Sequence, residues 1–144
     1  MNVDFKIVEY NSASYFAMLE IRIEVLRKPL GLHYSKQQLL DECNQIHVVA
    51  CFDDKIIGGL ILLKENEKQI KMRQVAIDAN YQSKGIGKQL IRFAEQHARD
   101  LNCEYMHCHA RETASQFYTN LEYKIKGEVF LEVGIPHFYM YKIL

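Results

Sequence analysis

The sequence predicts an α+β domain built on a mostly antiparallel sheet, and three observations lead there. Apolar strand-like runs cluster at 46–77 and again toward the C-terminus, instead of alternating one for one with helices. Only one long amphipathic pattern, over 86–101, stands between two strands in a way that demands a crossover, so one parallel pair is expected within 70–109. No repeat, linker or low-complexity tract divides the 144 residues, which suffice for one domain, 1–144, around a single core.

The elements follow in order. Phe5 to Tyr10 alternates as a first strand. Ser12 or Ser14 caps a helix carrying Tyr15, Met18, Leu19, Ile21, Ile23 and Leu26, and Pro29-Leu30-Gly31 ends it. Ser35 opens a short helix to Cys43. Ile46 to Phe52 and Lys55 to Leu63 form a hairpin across Asp53-Asp54, and Lys68 to Ile77 adds the third strand of a meander. The turn formers Asp78 and Asn80 end that strand. Ile86, Leu90, Ala94, Ala98 and Leu101 then recur at helical steps, with Lys88, Gln89, Arg92, Glu95, Gln96 and Arg99 opposite. Cys103 to His109 reads as a strand, Ala114 to Leu121 as a helix, and two further strands close the chain.

The junction at Gln82-Ser83-Lys84-Gly85-Ile86-Gly87-Lys88 is where chemistry first shows. The first N–H groups of a helix lack internal partners and carry the positive end of its dipole, so glycines there let a phosphate approach the backbone. Gln82, Lys84 and Lys88 add polar and positive groups around the same anion. A Walker loop is excluded because Gly87-Lys88 is followed by Gln89, which has no hydroxyl for magnesium. The dinucleotide fingerprint needs a small residue where Leu90 stands. A tight turn with glycines serving backbone geometry alone remains the plain alternative.

Bulk properties narrow the function classes. Eighteen basic and 18 acidic residues leave no net field, which argues against nucleic acid or an anionic membrane as the main partner and favours a small-molecule ligand. No apolar run approaches the roughly 20 residues of a membrane span, and the N-terminus lacks a signal-peptide core, so a cytoplasmic protein is expected. Cys43, Cys51, Cys103 and Cys108 are too sparse for a disulfide scaffold. A zinc reading of Cys103 to His109, which would make the chain a metal-binding regulator, suffers because Cys108 points opposite to His107 and His109 in a strand. No metal is expected.

Gln82-x-x-Gly85-x-Gly87 resembles the pyrophosphate-binding signature of the GNAT superfamily, the GCN5-related N-acetyltransferases that use acetyl-CoA. Ala114 to Tyr123 is similar to the family's A-x-x-F-Y-x-x-x-G-F segment, departing at Glu122, where glycine is usual. Glu132-Val133-Gly134-Ile135-Pro136-His137 resembles a stretch of the small bacterial ElaA-like branch. The resemblance spans about residues 46–144. It implies the GNAT fold, in which two central parallel strands splay and the pantetheine arm lies in the gap.

The same resemblance implies roles. Backbone groups of Val75, Ala76 and Ile77 would hold the pantetheine amides as an added strand does, and Gln82, Ser83, Lys84, Gly85, Ile86, Gly87 and Lys88 would receive the pyrophosphate. Direct attack in a ternary complex needs a neutral amine and a proton for the departing thiolate. Tyr118 occupies the general-acid position, although Phe117-Tyr118 also fits a plain aromatic core pair. Glu128 and His137, placed on the last two strands, are the candidate bases, ahead of His107 and His109; bulk water is the alternative. Arg22, Glu24, Arg27, His33 and Tyr34 are candidates for lining the acceptor pocket, unless helix 1 simply presents a solvated face. The acceptor is an amine of a small molecule, peptide or protein, and the fold admits a homodimer. The reading from another class is a CoA-binding sensor or interaction module without catalysis.

Overall fold

The computed structural model describes residues 1–144. The chain divides into two compact units, Met1–Leu63 with Gln74–Ala94, and Lys64–Arg73 with Glu95–Leu144. The architecture is α+β on a mixed, mostly antiparallel open sheet.

In the first unit β1 (Asp4–Val8), β2 (Ile46–Phe52) and β3 (Lys55–Lys64) form an antiparallel meander, with β4 (Gln69–Ile77) next in order. The β2–β3 turn is the anticipated Asp53-Asp54, both left-handed at φ 51° and 62°, the twist a two-residue hairpin needs. Alternation sends β2 side chains to opposite faces. On one face Val49 meets Met18 and Ile21 of α1 (Ala13–Arg22) together with Ala76. On the other, Ala50 and Ile57 meet Ile86, the first residue of α3 (Ile86–Asp100). Gly59 lets α1 approach closely, since a Cβ there would lie 2.7 Å from the Met18 sulfur.

Ser12, not Ser14, caps α1, accepting from the Tyr15 amide at 3.1 Å. The helix is shorter than its apolar pattern: Ile23–Arg27 is a π-helical turn and Lys28–Leu30 a 3₁₀ turn. Pro29 has no N–H to continue the ladder, and Gly31 at φ 66° turns the chain away. α2 (Lys36–Leu40) starts at Ser35 with a reciprocal capping box through Gln38.

In the second unit the first half of β4 pairs in parallel with β5 (Tyr105–Arg111), from Gln69↔Tyr105 to Met72↔Cys108. This is the expected crossover pair, joined by α3. The register ends there, two residues before Gln74, whose φ of 56° breaks the pleat of β4. β5 pairs antiparallel with β8 (Ile135–Ile143) along its length. Two short strands share β8's other edge, β6 (Lys124–Ile125) and β7 (Phe130–Glu132). The C-terminal region therefore holds three strands where two were expected. β6 is only two residues long, below what periodicity can detect.

Met106, Cys108 and Ala110 of β5 are buried with Met140 of β8, Leu121 and Tyr123. Alternate residues build an aromatic ladder on the other side of the strand pair. Tyr105 stacks on Tyr141 at 5.5 Å, and His107 on Tyr139 at 5.2 Å.

Candidate active site

The loop at 82–88 lies in the first unit, between a 3₁₀ turn at Ala79–Tyr81 and α3. Asp78 caps that turn through the Asn80 amide at 2.9 Å. Ser83 and Gly85 are left-handed, at φ 62° and 80°, and wrap the chain tightly before the helix. Gly85 is there for its torsion: a Cβ added to it would meet nothing within 4 Å. That open space beside the helix start is room an anion could fill. Gln82, Ser83, Lys84, Gly85 and Lys88 are exposed, Gly87 is half-buried and Ile86 is buried as the loop's anchor. No acidic residue stands in the first turn of α3, so an anion there would meet no repulsion from it.

The Gln82 side-chain amide donates to the Ile77 carbonyl at 2.9 Å. It braces the loop against the end of β4, and one lone pair of that carbonyl is thereby engaged. Ala76 is buried, whereas Val75 and Ile77 are half-buried.

Tyr118 lies in the second unit on α4 (Ser115–Asn120), following a 3₁₀ turn at Glu112–Ala114. The end of α4 fixes it. The Glu122 amide donates to Thr119 O at 3.0 Å and the Tyr123 amide to Tyr118 O at 3.0 Å, the two bonds of a Schellman close. The Tyr118 and Tyr123 rings meet edge to face at 5.8 Å, the apolar contact that goes with this motif. Burial, and secondarily the nearby Cys108, push the Tyr118 phenol above its ordinary value, so it holds its proton throughout the neutral range. The Cys108 thiol is pushed up by burial to about 12, which makes it a poor nucleophile.

Tyr123 is secured by a buried ion pair. Its hydroxyl donates to Glu95 Oε2 at 2.8 Å, and Lys142 Nζ lies 3.1 and 3.0 Å from the two oxygens of Glu95. Glu95 had been placed on the polar face of α3 by periodicity, yet it is fully buried.

The candidate bases separate. Glu128 is exposed and lies between β6 and β7, not on a strand. His137 is buried on β8, and its Nδ1–H donates to the Ile135 carbonyl at 2.7 Å. In neutral His137 the lone pair therefore sits on Nε2. Glu132, to which the sequence pattern gave no role, stands 3.7 Å from that Nε2 and accepts from His109 Nδ1 at 2.8 Å. The signal for it was the two-residue turn Val133-Gly134, which sets Glu132 opposite Ile135 and Phe130 opposite His137. His107 is buried and gives its Nε2–H to Glu65. Although partial burial opposes it, that hydrogen bond and the His107 charge hold Glu65 below the usual carboxylate range. No group of three or more His, Cys, Asp or Glu is arranged to hold a metal ion.

The acceptor-lining candidates also separate. Arg22 is buried and forks onto Glu42 at 2.9 and 2.6 Å, with the Tyr15 hydroxyl on the same carboxylate at 2.9 Å. Glu24 pairs with Lys28 at the surface. Arg27 and Arg22 both lie over the Tyr34 ring, at 4.5 and 4.7 Å, and the Tyr34 hydroxyl donates to Gln74 Oε1 at 2.6 Å. Of His33, the backbone carbonyl is used, accepting from Arg27 at 2.8 Å.

A family model described as an acetyltransferase (GNAT) domain matches residues 23–144. The chain belongs to the GNAT acetyltransferase family. This GNAT chain is 31% identical over 72 residues to the uncharacterized protein YyaT of Bacillus subtilis, a match spanning 50% of this chain and 49% of that relative. In three dimensions it is similar to an acyl-CoA N-acyltransferase from Pseudomonas aeruginosa, with TM-score 0.82, 24% identity and coverage of 98% and 99% of the two chains. Escherichia coli ElaA matches with TM-score 0.82, 18% identity and coverage of 98% and 99%. A GNAT acetyltransferase from Elizabethkingia anophelis with acetyl-CoA bound matches with TM-score 0.74, 17% identity and coverage of 99% and 99%. No helix of the GNAT chain is long and apolar enough to cross a membrane.

The departure at Glu122 now has a physical reading. The residue has φ 74°, so the backbone keeps the left-handed geometry that glycine adopts without cost, and a glutamate bears the strain. Glu122→Gly is expected to raise stability by about 1 kcal/mol, a melting shift of a few degrees by calorimetry. A loss of stability would show that the Glu122 side chain contributes more than its torsion costs.

Proposed function

We propose that this GNAT chain is an N-acetyltransferase that moves the acetyl group of acetyl-CoA directly to a primary amine of a small molecule, peptide or protein, with 1–144 acting as one catalytic domain. The observation that carries the reading is the loop at 82–88. Left-handed Ser83 and Gly85 bare the start of a 15-residue helix, beside exposed Lys84 and Lys88. The residues fit a pyrophosphate, and the backbone of Val75, Ala76 and Ile77 is assigned to the pantetheine amides, with Ile77 O shared with Gln82.

Acetyl-CoA supplies a thioester carbonyl and a thiolate leaving group. Tyr118 donates the proton the departing sulfur requires, a role for which it must be protonated at neutral pH, and burial keeps it so. The transient phenolate regains its proton from the nitrogen that becomes the amide. His137, with Nδ1–H held by Ile135 O, presents Nε2 as the base for the incoming amine. Glu128, exposed and outside the strands, is the second candidate for that role.

The decisive experiment is a thermal-shift titration with acetyl-CoA, followed by thiol release over an amine panel. One-site binding at a hundredfold excess over Kd is expected to add about 2.7 kcal/mol of stability. No shift at millimolar acetyl-CoA sinks the assignment, and binding without turnover on any amine replaces the enzyme with a CoA-binding module.

A further inference from the structure

We propose that Glu132, His109, His137 and Phe130 form an ammonium subsite for a primary alkylamine, in which Glu132 holds the cation and His137 Nε2 takes its proton. The proposal rests on the acetyltransferase reading and names its acceptor class.

Glu132 sits at the end of β7, where the chain turns through Val133 and Gly134 at φ 48° and 75°. A β-branched residue in that region is strained, and the strain is borne where it fixes the carboxylate between two imidazoles. Its side chain is 45% exposed, whereas that of His137 is 6% exposed, so a solute meets the carboxylate first. One carboxylate oxygen is committed to His109 Nδ1 at 2.8 Å. The other lies 3.7 Å from His137 Nε2, too far for a hydrogen bond. An ammonium bearing three N–H donors supplies what that gap lacks, giving one N–H to Glu132 Oε2 and a second to the Nε2 lone pair.

Phe130 supplies the apolar wall. Its ring stacks on His137 at 6.0 Å and meets His109 edge-on at 5.1 Å, so methylenes beside the nitrogen have a surface to cover. The remaining polar neighbours on adjacent strands are Arg111, which pairs in register with His137, and Tyr139, whose ring lies 6.2 Å from His109. The proton step balances within the site. One N–H bond of the ammonium breaks, one forms on His137 Nε2, and the amine keeps the electron pair. Imidazolium beside carboxylate is the product, and solvent receives the proton as the site empties.

The test is a titration of the whole chain, labelled with 15N-histidine, with n-butylammonium chloride in the absence of acetyl-CoA. Saturable shifts of the His109 and His137 ring nitrogens are expected, with none from n-butanol. Glu132→Gln should weaken butylammonium binding roughly tenfold or more and raise the amine KM of acetylation far more than it lowers kcat. Unmoved ring nitrogens in the parent chain, a result independent of any variant's folding, would overturn the subsite, as would unchanged affinity in Glu132→Gln. Ring shifts with no acetyl transfer to any amine would sink the activity and leave the subsite standing.

Discussion

Tyr118→Phe lowers kcat by about a hundredfold or more while the fold and the affinity for acetyl-CoA stay intact. The expectation follows from how little the hydroxyl does for the structure and how firmly the ring is held. The ring is fixed by the Schellman close of α4 and by Tyr123 and Phe117 at 5.8 and 5.1 Å, contacts that phenylalanine keeps. Stopped-flow or steady-state thiol release measures the rate, and a fall of less than about tenfold would remove Tyr118 as the acid. The pH profile carries a second signature. Burial raises the Tyr118 value above its ordinary range, so the phenol form stabilises the fold below about pH 10 and that contribution is lost as pH rises beyond it. Tyr123 shifts in the same direction, through burial and then Glu95. Any loss of rate between neutrality and pH 9 must therefore come from a group other than Tyr118.

Glu95→Ala is expected to cost about 3–5 kcal/mol of stability, measured as a shift of the urea midpoint. The substitution leaves Lys142, 7% exposed, without the carboxylate it touches, and leaves the Tyr123 hydroxyl only the weak Met106 sulfur as acceptor. A charge left unpaired in the interior costs far more than the pair itself contributes, and the loss is a large part of a typical folding margin. The double variant Glu95→Leu with Lys142→Met should recover most of it, because an apolar pair avoids desolvating charge. A cost for Glu95→Ala below about 1 kcal/mol would mean water reaches Lys142 readily.

Much of the fold was legible because its signals are local. Asp53-Asp54 set the hairpin, Ser35 marked a helix start, and the glycines at 85 and 87 marked another. Failures came where the decisive partner is distant in sequence. Glu95 carries the helical period of a surface residue, and partners distant in sequence, Lys142 47 positions away and Tyr123 28 away, make its burial tolerable. The turn at Gln74 has no glycine to announce it, and its side chain is instead claimed by Tyr34. At the candidate site, the loop at 82–88 stands out from its glycine spacing at a helix start, whereas Tyr118 stands out only through the family resemblance. The role of Glu132 could not be read, because its meaning depends on which two imidazoles a hairpin brings beside it.

β8 is the last strand in the chain, yet it pairs with β5 on one edge and with β6 and β7 on the other. During synthesis, a nascent chain ending before Ile135 has made β6 and β7 but offers neither a neighbour, and β5 stands with one edge open. The partner that closes this sheet arrives only with residues 135–143. Assembly of the second unit therefore waits on β8 and is slow in the manner of non-local pairing. Until then its strand edges are open to whatever other chain is nearby.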